Sequence, residues 1–262
     1  MQSKIWIVIG LSLFVITSAL AQTVEEKELP DILTGIPKAP KSLVIDGELG
    51  EWPLSVAIFV SEKSTQQLED CSGIFYMMWD KDNLYFAAKV YDDELIQGKV
   101  GDLIHLEDDV QFDLDLDREG DILVSVYTDD DFQLGFSPGD FDNDGPEMWG
   151  WNPGGAGRLM ERPQNAEIAS SNFDDGWIIE ARIGVDEFNS DLTGIAQFEE
   201  GMKMGFGRAI NDYDIQSGDG GVSSGGAWQD TSKMYDVQLI GLLSVEPRLK
   251  IIESWGLIKS KD

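Results

Sequence analysis

Residues 79–117 read WDKDNLYFAAKVYDDELIQGKVGDLIHLEDDVQFDLDLD, and this stretch decides the fold. Within 84–91, Leu84, Phe86, Ala88 and Val90 alternate with Tyr85, Lys89 and Tyr91. Within 110–116, Val110, Phe112, Leu114 and Leu116 alternate with Gln111, Asp113 and Asp115. A period of two with one apolar face predicts half-buried strands, because successive side chains of a strand point to opposite sides. The residues between the two runs are acidic and turn-rich, as expected of a surface loop joining strands of an antiparallel sheet.

Working outward, short runs of the same kind recur from residue 43 onward. They lie at 43–45, 56–60, 73–79, 122–127, 132–136, 166–170, 177–183, 204–210 and 235–243, separated by Gly- and Asp-containing turns. Helical periodicity is nearly absent; single helical turns are expected only at 93–96 and 185–188. Many short strands in series predict an all-β, antiparallel sandwich or barrel. Residues 22–42, with Pro30, Pro37 and Pro40, read as a linker. Residues 129–165 read as a long acidic insertion loop within a domain spanning 43–262.

The stretch ahead of the linker has a different character. Lys4 precedes an apolar run at 5–16, and Ala19-Leu20-Ala21 places small residues where a signal peptidase reads them. This predicts a signal peptide over 1–21, cleavage before Gln22, and a secreted or periplasmic protein without a membrane span in its mature form. The 262-residue chain has 19 Lys and Arg against 49 Asp and Glu, a formal net charge of -30. Such a chain repels nucleic acid and anionic membrane surfaces and attracts cations. The single Cys71 forms no internal disulfide, so stability must come from the core and from bound metal.

Several residues together carry a family resemblance. An Asp-Gly-x-x-x-x-Trp segment stands at Asp46, Gly47 and Trp52. Trp79-Asp80 leads into a Leu84-Tyr85 strand ending at Asp92. His105-Leu106-Glu107-Asp108-Asp109-Val110-Gln111 opens the next strand. A Trp-x-x-Glu-x-x-Ile strand follows at Trp177, Glu180 and Ile183, and a Gly-Phe strand runs to Asn211-Asp212. In order and spacing these pieces resemble the family 9 carbohydrate-binding modules over residues 43–243. The resemblance implies a sandwich of two sheets, of the immunoglobulin or jelly-roll type, and a non-catalytic glycan-binding function in carbohydrate catabolism. It also implies a glycoside hydrolase as a possible partner. Sugar-binding members clamp a sugar between two Trp, with a Glu from the strand that the first Trp opens. Here His105 and Gln111 occupy those Trp and Glu positions, and Trp228 matches the second clamp residue.

Other site candidates come from the residues themselves. Sugars stack on flat aromatic faces while amides and carboxylates hold their hydroxyls. Trp149, Trp151 and Trp228 lie in Gly-rich loops, whereas Trp52, Trp79 and Trp177 lie in apolar runs expected to be core. Asn211 and Asp212 are expected to line the same end of the sandwich. Asp140, Asp142 and Asp144, followed by Gly145, alternate as hard-cation ligands do, and predict a Ca²⁺ loop. The alternative is a solvated acidic turn. Asp113, Asp115 and Asp117 read as a solvated strand face. His105 is the sole His, no nucleophile turn accompanies it, and an enzyme is not expected. Relatives of this sandwich that carry haem b would need ligands such as Met77, Met78, Met148, Met160 or His105. A structural surface or assembly protein is the third reading.

Overall fold

The computed structural model describes residues 29–30, 34–61, 71–121, 125–151, 162–188, 193–213, 220–224 and 230–243. Two sheets face one another. The first contains β1 (Gly35–Pro37), β5 (Asp109–Asp115), β6 (Asp131–Ser137), β7 (Glu147–Trp151), β10 (Lys203–Asp212), β11 (Gly220–Ser224) and β12 (Tyr235–Ile240). Its order is β1-β12-β10-β5-β6-β7, with β11 also paired to β10. The second contains β2 (Ala57–Ser61), β3 (Ser72–Trp79), β4 (Asn83–Tyr91), β8 (Ala166–Phe173) and β9 (Gly176–Gly184), in the order β2-β3-β4-β9-β8. Among these strands every pairing except β1 with β12 is antiparallel. The chain is a β-sandwich, one of the two antiparallel architectures its alternation predicts and the one the resemblance implies.

The alternating apolar residues meet between the sheets. Phe112 on β5 sits at the centre, its ring 5.0 Å from Phe86, 5.2 Å from Phe75 and 5.6 Å from Phe136. Trp79 and Trp177 lie in this core, and Trp79 Nε1 donates to the Ile240 carbonyl at 2.9 Å, tying one sheet to the other. The β3–β4 turn is set by Asp80, whose Oδ1 accepts the N–H groups of Asp82 and Asn83, both at 2.8 Å.

A second apolar cluster lies on the far side of the five-stranded sheet, where the stretch before β2 folds across β3 and β4. Trp52 packs there against Tyr76, their rings 5.8 Å apart. Glu180 on β9 holds this cover in place. Its Oε2 accepts the backbone N–H groups of Asp46 at 3.0 Å, Gly47 at 2.7 Å and Glu48 at 3.1 Å, and its Oε1 accepts Trp52 Nε1 at 2.5 Å. The Asp-Gly-x-x-x-x-Trp segment and the Trp-x-x-Glu strand are therefore two halves of one hydrogen-bonded junction.

The structure corrects several expectations. Residues 35–37, within the expected linker, form β1 and pair with β12. The strand expected at 132–136 forms as β6, and the rest of the expected insertion supplies a further strand of the seven-stranded sheet, β7. No strand forms at 43–45, and 93–96 is not helical, whereas Val185–Phe188 is a helical turn. The expected strand at 122–127 lies partly outside the described residues, and 125–127 is not a strand. Asp113 and Asp115 are not solvated: they are 4% and 0% exposed.

Candidate functional site

Residues paired across a sheet share a face, so the register defines what the outside of the seven-stranded sheet presents. Asn211 pairs with Asp109, Ala209 with Gln111, and Gly207 with Asp113. Gln111 in turn pairs with Gly135 and Asp113 with Gln133, while Gly135 pairs with Trp149 and Gln133 with Trp151. This outer face has two halves. Over one half, Tyr127 and Met234 pack together. Arg118 closes that half from the side, donating to Asp236 at 2.7 Å and to the carbonyls of Thr231 at 2.7 Å and Met234 at 2.8 Å.

The other half carries the aromatic and amide groups. Gln133 Nε2 donates to Gln111 Oε1 at 2.8 Å, Gln111 Nε2 to Asp109 Oδ2 at 3.3 Å, and Asn211 Nδ2 to Asp109 Oδ1 at 2.6 Å. The Trp151 indole lies against the sheet at Gly135, where a Cβ would stand 2.5 Å from its ring. His105 meets Trp151 edge to face, with centroids 5.5 Å apart at 88°. His105 Nδ1 lies 2.8 Å from the Asp102 carbonyl. A carbonyl only accepts, so Nδ1 donates, and in the neutral ring Nε2 is the remaining acceptor.

Burial controls the charge here. It pushes the Asp109 carboxyl up to about 8, against the opposing bonds from Asn211 and Gln111. It pushes Asp113 up to about 7, with the Tyr127 hydroxyl opposing. Both shifts are desolvation effects, which favour the neutral acid. Trp149, on the same face, packs over Gly101, a glycine with φ +66°, and its Nε1 is buried without an acceptor among the described residues.

The fold thus gathers His105, Gln111, Trp149, Trp151 and Asn211 on one face. Asp212 departs from that group. As the neighbour of Asn211 on β10 it points to the opposite side, and its carboxylate oxygens converge with those of Asp92 and Asp108 within 4.8 Å. All three are buried. Asp92 accepts from Trp177 Nε1 at 3.0 Å, and Asp108 accepts the N–H of Tyr213 at 2.7 Å and that of Ile96. Burial pushes Asp108 up to about 8, and the neighbouring Asp92 and Asp212 add to the shift. Three converging oxygen donors in a dry site suit a hard divalent cation.

Asp140, Asp142 and Asp144 are not brought together in this way. Asp140 instead turns inward: its Oδ1 accepts the N–H groups of Asp142 at 3.0 Å, Asn143 at 2.7 Å and Asp144 at 2.8 Å. Those bonds hold its carboxyl down at about 2. The converging acids were visible in the sequence only as separate motif ends: the Asp closing one strand, the Asp three residues after His105, and the last residue of the Asn-Asp pair. Met77 and Met148 are core, Met78 lies in the second cluster, and Met160 and Trp228 lie outside the described residues. Of these haem-ligand candidates, the described Met77, Met78 and Met148 lie away from the face of His105.

The sequence profile of the family described as carbohydrate family 9 binding domain-like matches residues 45–242. The chain belongs to that family. Its fold is similar to a carbohydrate-binding module of family 9 from Caldicellulosiruptor kristjanssonii solved with cellotriose. The TM-score is 0.58 at 22% identity, covering 81% of this chain and 96% of that one. A family 9 module from the same organism solved with glucose gives 0.55 at 23% identity, covering 82% and 100%. A putative carbohydrate-binding protein from Bacteroides uniformis gives 0.51 at 12% identity, covering 78% and 97%. No curated protein matches the chain.

Proposed function

We propose that this family 9 module binds a glycan, without catalysis, on the outer face of its seven-stranded sheet. Trp151 is the stacking wall, His105 stands at its edge, and Gln111, Gln133 and Asn211 meet hydroxyl groups. Trp149 flanks them, and Trp228 is assigned to the same site from the family pattern. The observation that carries this reading is a partly exposed indole beside a chain of amides and one carboxylate, all on the outside of a sheet. Both Caldicellulosiruptor neighbours were solved with glucose-based sugars, which makes cello-oligosaccharides the first ligands to try.

A sugar hydroxyl bonded to protein gives up a bond to water, for a net gain of about 1 kcal/mol. The aromatic face must therefore supply much of the affinity. Trp151→Ala should weaken cellotriose binding strongly by calorimetry and leave the far-ultraviolet circular dichroism unchanged. Undiminished binding by the folded variant would move the site away from this face. The same reading includes export through the 1–21 signal, a role in carbohydrate catabolism beside a glycoside hydrolase, and stabilisation by calcium. Asp92, Asp108 and Asp212 would hold the calcium ion, which would neutralise the three converging carboxylates.

A further inference from the structure

Gly135 stands in mid-strand on β6, and its backbone is not in the left-handed region that would call for glycine. A glycine inside a strand weakens it, because it adds conformational entropy to the unfolded chain and packs nothing. Its absence of a side chain therefore needs a cause elsewhere. A Cβ at this position would lie 2.5 Å from Trp151 Cζ3, 2.6 Å from Cη2 and 3.0 Å from Asp109 Oδ2. The two ring contacts are shorter than real Cβ atoms show, and the obstacle is a bulky ring inserted over the strand. The indole occupies the space a side chain would take. It also lies beside the Asp109 carboxylate, at the centre of the amide chain, and His105 meets it edge to face.

We infer that Gly135 is the positioning residue of the glycan site: by lacking a side chain it lets Trp151 lie against the sheet, at the height from which its ring and the Gln111–Asp109 amide chain address one ligand together. The inference rests on the glycan reading of this face. A larger residue at 135 would lift the indole away from the amides while leaving the ladder bonds of β6 intact, because alanine adopts strand backbone freely.

The test is Gly135→Ala, with Trp151→Ala and the double variant, in the full chain. Cellotriose affinity by calorimetry should fall about tenfold or more in Gly135→Ala, a loss of the size expected when an aromatic anchor is displaced. The double variant should bind no more weakly than Trp151→Ala alone. The near-ultraviolet circular dichroism should change on Gly135→Ala in the wild type and not in a Trp151→Phe background. That signal is independent of any ligand. Should the wild type bind no sugar, the glycan reading fails while the spectroscopic coupling still supports or overturns the positioning role. Unchanged affinity in Gly135→Ala, additive losses in the double variant, or a spectral change that persists without Trp151 would each overturn it.

Discussion

Replacing Glu180 by Gln should test how the N-terminal cover is held. The carboxylate is 1% exposed and accepts four N–H groups, three from the backbone of 46–48 and one from Trp52. Glutamine keeps the shape but offers one acceptor oxygen, and its NH₂ must face donors. If the oxygen turns to the backbone, the Trp52 indole N–H is left buried against another donor. If it turns to Trp52, three backbone N–H groups are stranded. An unsatisfied buried donor costs about 1–3 kcal/mol, and bonds to a charged acceptor are each stronger by about 1 kcal/mol than neutral ones. Part of this loss is offset, because burial raises the Glu180 pKa and thus disfavours the ionised form. The net expectation is a loss of about 3 kcal/mol, a large share of the roughly 5–15 kcal/mol that holds a domain folded.

Urea unfolding followed by tryptophan fluorescence would measure it, with the midpoint falling at constant slope. Trp52→Phe removes the indole donor and keeps an aromatic ring, so alone it should cost less. Combined with Glu180→Gln it should cost less than the sum, since both variants break the same bond. A Glu180→Gln protein within about 0.5 kcal/mol of wild type, the ordinary range for surface changes, would refute the reasoning.

Two further outcomes are expected. Calcium at a hundred times its dissociation constant should stabilise the fold by about 2.7 kcal/mol. Asp108→Asn should remove the response and Asp142→Ala should keep it; a melting temperature indifferent to chelator would exclude the site at Asp92, Asp108 and Asp212. In chelator, stability should fall as pH rises from 5.5 to 8.5. Asp109 and Asp113 titrate near 8 and 7 in the fold but near 3.8 when unfolded. The native state then binds more protons across that window, and stability declines by at most about 1.4 kcal/mol per pH unit for each group. Melting curves that rise with pH would contradict buried, neutral acids on this face, and Asp109→Asn should flatten the trend.

The strands were legible because burial on one face writes a period of two, as in 84–91 and 110–116. What escaped were elements whose pairing is settled by distant chain. Gly35–Pro37 has no period of its own and becomes a strand only because β12 offers an edge. Glu147–Trp151 reads as loop because its inward positions are Met148 and the glycine at 150, yet Trp149 and Trp151 alternate outward like any strand pair. The acids misled for a related reason. Asp113 and Asp115 look solvated by composition, and nothing local announces that Tyr127, Arg118 and Met234 would cover them. In the 140–144 loop the acidic spacing is that of a cation site, but short side chains beside free backbone N–H groups can cap the turn themselves, and Asp140 does.

The parity of the strands joins the two parts of the candidate site. Asp108 and Asp109 are consecutive, and so are Asn211 and Asp212. In each pair one side chain reaches the outer face and the other turns toward Asp92. Asp109 and Asn211 bond to each other on the outer face, and Asp108 and Asp212 converge on the far side. Tyr213, next in the chain, donates its backbone N–H to Asp108 at 2.7 Å, and its hydroxyl reaches the His105 carbonyl at 3.5 Å. The buried acids and the amide chain are therefore joined through the peptide units of Asp108–Asp109 and Asn211–Asp212. A cation held by Asp108 and Asp212 would tie the ends of β5 and β10 together beneath the face on which Trp151 lies, and should then alter sugar binding there. Coupling of this kind is reciprocal: if the cation tightens sugar binding, the sugar must tighten cation binding by the same factor. Calcium titrations with and without cellotriose would read that factor, and identical calcium affinities in the two would show that the two faces act independently.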